Sequence, residues 1–240
     1  MIVLIKLILA HFIGDFLLQP KSWIDDKIAK KFKSPKLYLH ALIHFGLILL
    51  VVWDWKYWSM ALFLCITHLL IDLLKLIFQK PKSQIQWFLS DQILHLLSIF
   101  IFWYFYFTPE INFLEISNQT NLWIYITAIF FLTFVAGISI KILLAKWSNQ
   151  LESENDDSLS NAGKYIGILE RLFVFTFIIT GNWAAIGFLI TAKSVFRFGD
   201  LRESKNRKLT EYILIGTLLS FAIAVATGML VSYLTNSAVQ

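Results

Sequence analysis

A single cysteine, Cys65, stands in a chain of 240 residues. That excludes a disulfide framework and a zinc site built on paired thiolates. Charge is also scarce. Only 15% of the residues are Asp, Glu, Lys or Arg, against about 25% in soluble domains. In return 58% are hydrophobic and 16% aromatic, with a mean hydropathy of +0.67. This balance excludes a soluble globular domain, a disordered chain and a nucleic-acid module. The formal charge of +5 belongs instead to residues that orient a membrane protein. The opening 19 residues lack the basic leader and small-residue cleavage site of a signal peptide. They also contain His11 and Asp15, so they are read as a first membrane span. No internal repeat is visible.

What is there is a series of apolar runs. A membrane-crossing helix needs about 20 mostly apolar residues. Runs of that kind fall at 2–19, 37–53, 57–78, 88–107, 122–144, 165–180, 183–198 and 211–234. The fold class expected is therefore all-α: a polytopic helical bundle of eight transmembrane helices. The sixth and seventh runs are short and joined only by Gly181 and Asn182. Six spans plus a re-entrant hairpin is the alternative. Three parts are expected: 1–110 as a four-helix half, 111–164 as a fifth span with a polar cytoplasmic loop, and 165–240 as a carboxy-terminal helical half. Basic residues set the orientation. Of the 21 lysines and arginines, 18 fall on alternate connections, with Lys21, Lys27, Lys30, Lys31, Lys33 and Lys36 in the first. That asymmetry puts the odd-numbered loops in the cytoplasm and both termini outside it, with the chain in a bacterial inner membrane.

The five histidines carry the chemistry. His11 is followed four residues on by Asp15, His40 by His44, His68 by Asp72, and Asp91 by His95. Each of the first four spans thus holds one i, i+4 pair, and every histidine belongs to a pair. On a helix that spacing puts both side chains on one face, one turn apart. Two ligands from one helix can then reach one ion, as in zinc-protease helices. The lysine-derived orientation brings all four pairs to the inner ends of their spans. A lone pair of this kind is as well read as an interhelical hydrogen bond; four at one depth point to a metal site. Imidazole and carboxylate suit a divalent metal, with zinc first and iron second. Eight candidate ligands over-supply one ion, so the expectation is two ions, or one ion with general acid and base groups. Asp91 and His44 are the candidates for moving protons. Gln19, Ser90 and Gln92 lie at the same level as candidate supporting partners.

The second half adds Glu170 and Arg171 within two turns of the inner end of the sixth span, and Lys193 and Arg197 at i, i+4 ending the seventh. The functional reading is an anion clamp for a phosphate or carboxylate. The plainer reading is snorkelling to headgroups, with Glu170 paired to a lysine. The polar stretch 146–164 reads as a solvated loop, or as a contact for a soluble cytoplasmic partner.

The opening Leu9-Ala10-His11-Phe12-Ile13-Gly14-Asp15-Phe16-Leu17-Leu18-Gln19 resembles the start of a bacterial membrane family catalogued as domain of unknown function 3307. The later His40-Ala41-Leu42-Ile43-His44 and the turn from His68 to Asp72 resemble its next elements. The resemblance covers about the first 110 residues and implies no activity. More distantly, the His/Asp pairs are similar to those of membrane-bound metal-dependent hydrolases. That likeness implies His11, Asp15, His68 and Asp72 as metal ligands, and His40 and His44 as ligands or acid/base groups. The function expected is hydrolysis, by metal-activated water, of a lipid-linked or amphipathic ester or phosphoester at the cytoplasmic leaflet. Membrane lipids are the expected surroundings. Three alternatives use the same residues differently: a metal or proton transporter, a di-iron oxidase, and a non-catalytic anchor or sensor. The transporter is the weakest fit on one point, because the outer halves of the spans offer no polar path.

Overall fold

Apolar residues at helical spacing become helices at nearly every expected run. In a computed structural model, residues 1–80, 83–108, 118–148, 162–204 and 207–236 are described; the regular elements among them are all helices, with no strand. The elements are α1 (Ile2–Phe16), α2 (Lys21–Lys30), α3 (Pro35–Val52), α4 (Trp58–Phe78), α5 (Gln84–Phe107), α6 (Asn118–Phe130), α7 (Ala136–Ser148), α8 (Ala162–Ile179), α9 (Trp183–Ser204) and α10 (Arg207–Asn236). A π-helical turn, Phe131–Val135, joins α6 to α7 without a break. Most of the polar stretch expected at 146–164, residues 149–161, lies outside the described residues.

Five helices are long and apolar enough to cross a membrane: α3, α4 with the turn before it, α5, the continuous α6–α7 helix and α10. A sixth is reached if α1 and α2 count as one bent span, but α2 leaves the axis of α1 at 79°. Three of the eight expected runs do not reach that length and composition, for local reasons. α1 has only 15 residues. α8 carries Lys164, Glu170 and Arg171. Within its described side chains α9 offers the shorter apolar stretch Trp183–Val195. Leu42, Leu50, Phe63, Ile66, Leu70 and Phe100 stay exposed on these helices, as befits surfaces that meet lipid rather than water. The protein is a multi-pass membrane protein.

The chain forms two units, Met1–Thr127 and Ala128–Gln240. In the first, α1 packs against α3 and α5, and α4 packs against the same two helices. Each helix presents a buried stripe, and the stripes share one order. Reading inward from the candidate ligands, α1 gives His11, Leu7 and Leu4, and α3 gives His44, Ile48 and Val51. Likewise α4 gives His68, Leu64 and Met60, and α5 gives His95, Ile99 and Trp103. The apolar members belong to one core cluster. Because consecutive helices run in opposite directions, ascending numbers on one meet descending numbers on the next.

The second unit is held by α10 against α8 and α7. Its α8–α9 connection is a helix stop followed at once by a start. Gly181 has φ +73°, which a residue with a Cβ rarely adopts. Its N–H donates to Ile178 O at 3.1 Å, and the Asn182 N–H donates to Phe177 O at 2.7 Å, the pair of bonds that caps a helix carboxy terminus. Gly228 of α10 lies so close to α8 that a Cβ there would come within 2.9 Å of Ile178. Gly46 has open space around it. Gly228→Val is therefore expected to destabilise the protein by about 1–3 kcal/mol through overpacking. Gly46→Ala is expected to be neutral or to stabilise by up to about 1 kcal/mol through helix propensity. Reversible unfolding in mixed micelles checks both.

Candidate metal centre

The four i, i+4 pairs converge. His11, His40, His44, His68, Asp72, Asp91 and His95 are all buried, and the side chain of Asp15 is 9% exposed. Asp15 lies at the middle. Its Oδ1 has His44 Nε2 at 3.0 Å, His40 Nε2 at 3.2 Å and His68 Nε2 at 3.5 Å. His40 Nε2 and His68 Nε2 are 3.2 Å apart. Four donor atoms from α1, α3 and α4 thus stand 3.0–3.5 Å from one another along the measured edges. Tetrahedral zinc with ligand bonds of 2.0–2.1 Å places its donors about 3.3–3.4 Å apart. Four of the six separations such a set would have are of that size.

Three overlapping groups have ligand atoms within 4.8 Å of one another: His11, Asp15, His44 and His68; His40, His68 and Asp72; and Asp15, Asp91 and His95. The rings themselves are layered. His44 stacks on His68 with centroids 3.8 Å apart, and His68 on His95 at 4.0 Å. Some polar atoms in this dry interior have no hydrogen bond: His40 Nδ1, His95 Nε2 and Asp91 Oδ1. His95 Nε2 lies 3.4 Å from Asp91 Oδ1 and 3.6 Å from Asp72 Oδ1, close enough for attraction but without bonding geometry. Unsatisfied buried polar atoms are costly, and a bound cation would satisfy a carboxylate oxygen such as Asp91 Oδ1. Between the imidazole rings and the aliphatic layer of Leu7, Ile48, Leu64 and Ile99 lies a cavity of about 20 Å³, room for one water molecule.

Three further side chains complete the cluster. Lys27 Nζ donates to Asp72 Oδ2 at 2.7 Å, and Lys75 Nζ donates to Asp91 Oδ2 at 2.7 Å. Lys27 is itself buried. In the sequence both lysines read as cytoplasmic-side markers and nothing more. Lys75 lies three residues after Asp72, on the same helix face, so its position was open to inference; Lys27 comes from α2 and had no such signal. Gln92, expected as a supporting residue, is one: its Nε2 donates to Asp15 Oδ2 at 3.0 Å and its Oε1 lies 3.3 Å from His11 Nε2. Gln19 is half-buried and Ser90 exposed.

In the second unit the four proposed anion-binding residues divide. Lys193 Nζ donates to Glu170 Oε2 at 2.7 Å. Buried Arg171 donates through Nε to Leu132 O at 2.6 Å and through a terminal nitrogen to Ser220 Oγ at 3.3 Å. Leu132 lies in the π-helical turn. Such turns disturb the regular backbone pairing, and here a side chain takes up a carbonyl. Arg197 belongs to α9, but its side chain lies outside the described residues.

Gly14 is a requirement of the site that composition alone did not reveal. A Cβ at this position would overlap the imidazole of His44, so only a bare backbone lets α1 approach that ring. Gly14→Ala is expected to displace His44 from Asp15 and to destabilise by about 1–3 kcal/mol. Nitrogen chemical shifts of selectively labelled histidine, together with unfolding midpoints, check this.

No curated protein and no solved structure matches the chain. Residues 3–125 do match a family, the one described as "Protein of unknown function (DUF3307)". The matched region contains every histidine and every aspartate of the cluster, and the chain belongs to that family.

Proposed function

We propose that the first unit is a divalent-metal centre, zinc first and iron second, in a membrane hydrolase. Its substrate is a lipid-linked or amphipathic ester or phosphoester at the cytoplasmic leaflet. The observation that carries this reading is the group His11, Asp15, His44 and His68, whose ligand atoms lie within 4.8 Å of one another in a buried bundle. These residues would hold the ion. A bound divalent ion supplies Lewis acidity that activates water near neutral pH.

The chain's own residues supply the rest. Gln92 fixes the second oxygen of Asp15, so the first is presented to the imidazoles. Lys75 holds Asp91 through Oδ2, which leaves Oδ1 as the oxygen able to take and return a proton, with His95 Nε2 3.4 Å away. The cavity beside the rings has room for one water molecule. Within the second unit taken by itself, Lys193, positioned by Glu170, and Arg197 are proposed to contact the anionic headgroup of a membrane lipid. Transport is the poorer reading. Beyond the imidazoles the core is filled by Leu7, Ile48, Leu64 and Ile99, then by Leu4, Val51, Met60 and Trp103, a barrier to a hydrated ion.

The proposed topology has eight crossings, formed by α1, α3, α4, α5, the α6–α7 helix, α8, α9 and α10. Both termini lie outside the cytoplasm of a bacterial inner membrane. The lysine-rich connections support this arrangement.

Elemental analysis of the detergent-purified chain tests the metal. About one equivalent of zinc or iron per chain is expected, lost in a His40→Ala/His68→Ala variant that keeps its helicity and elution volume. Hydrolysis of lipid esters or phosphoesters should disappear with chelation and return with the ion. Metal-free wild-type protein would overturn the reading.

A further inference from the structure

The three ligand groups are not equivalent, and the lysines separate them. The group of His11, Asp15, His44 and His68 contains no lysine-paired carboxylate. The group of His40, His68 and Asp72 has Lys27 on Asp72. The group of Asp15, Asp91 and His95 has Lys75 on Asp91. Each of the two latter groups thus already contains a cation at hydrogen-bond distance from its carboxylate.

Charge explains the need. Three buried aspartates with no counter-charge would be prohibitively costly in a low-dielectric bundle. The two ammonium groups offset two of those three carboxylates, those of Asp72 and Asp91. Filling a second group with metal while both lysines stay in place would put excess positive charge in the interior.

The two lysines differ in how they are tied. Lys75 grows from α4, one turn beyond Asp72, so its backbone is fixed by a helix that itself carries candidate ligands. Lys27 comes from α2, which lies outside the four helices and turns from α1 at 79°. α2 packs on α3 and carries no candidate ligand, so a shift of α2 would draw Lys27 away and leave the ligand-bearing helices in place. A vacancy at Asp72 would then face two more nitrogen donors. His40 Nε2 is 3.9 Å from Asp72 Oδ2 and 3.2 Å from His68 Nε2. His40 is 1% exposed, and its other ring nitrogen has no hydrogen bond.

We propose that His40 and Asp72, with His68 ceded by the first group, form a second divalent-cation site whose place is held by the ammonium group of Lys27. The site takes up an ion when that side chain withdraws. The proposal rests on the metal reading of the first group. It makes the resting protein a one-ion centre and gives α2 control of the step to two ions.

Zinc bound per chain after equilibrium dialysis tests this in the full-length detergent-purified protein. Wild type is expected to hold one ion, Lys27→Met two, and Lys27→Met/Asp72→Asn one again. A second measurement needs no variant. The amine of Lys27 in wild type should react slowly with an acylating reagent through the first equivalent of zinc. It should become several-fold more reactive when zinc is raised enough to compete for Asp72. One ion in both wild type and a folded Lys27→Met protein would overturn the second site and leave the first standing. Unchanged Lys27 reactivity at saturating zinc would do the same should the variant fail to fold. No zinc in any sample would remove both sites.

Discussion

Carboxylates drawn away from water must find counter-charge or donors, and in this bundle Asp15 is where that demand is met. One oxygen faces three imidazole nitrogens, and the other accepts from Gln92. The residues involved come from α1, α3, α4 and α5. Each of those four helices is therefore tied to the others through polar contacts whose loss would strand a group in a dry interior. Lipid supplies little hydrophobic drive for helices to associate, so contacts of this kind, with close packing, hold the bundle in register.

The aliphatic layers follow from the same register. Once His11, His44, His68 and His95 share a level, residues one turn further along each helix must meet as well. Those residues are Leu7, Ile48, Leu64 and Ile99, and the next turn brings Leu4, Val51, Met60 and Trp103. The polar cluster and the apolar plug are thus one helical periodicity read in two directions. Gly14 is the local concession that lets α1 approach closely enough for this, because His44 occupies the space of a side chain there.

The second unit solves a related problem with less charge. Arg171 is buried, yet the bonds it makes go to neutral partners, the carbonyl of Leu132 and the hydroxyl of Ser220. Room for the guanidinium comes from Gly137 and Gly167, where an added Cβ would stand 3.2 Å and 3.3 Å from its terminal nitrogens. The adjacent Glu170 is taken by Lys193 instead. A π-helical turn and two glycines thereby accommodate a charge that a regular apolar helix pair would exclude.

The helices of the eight apolar runs and the pairing of His and Asp on one face of each of the first four could be read from residue spacing, while the common depth of the pairs comes from the lysine asymmetry and α2 reads as loop. A fixed period of 3.6 residues decides which side chains share a face, whatever the neighbours. Span number was less legible, since the charges of α8 and the shortness of α1 leave five or six helices long and apolar enough. The roles of Lys27, Lys75 and Gly14 were decided only in three dimensions. A lysine at the end of an apolar run looks the same whether it reaches a headgroup or turns inward to a carboxylate. The direction depends on what lies opposite it. For Lys27 that is Asp72, 45 residues away, and for Gly14 it is the ring of His44 on another helix. Spacing determines what one helix offers; packing determines which offers are taken up, because partners distant in sequence meet only when the helices do.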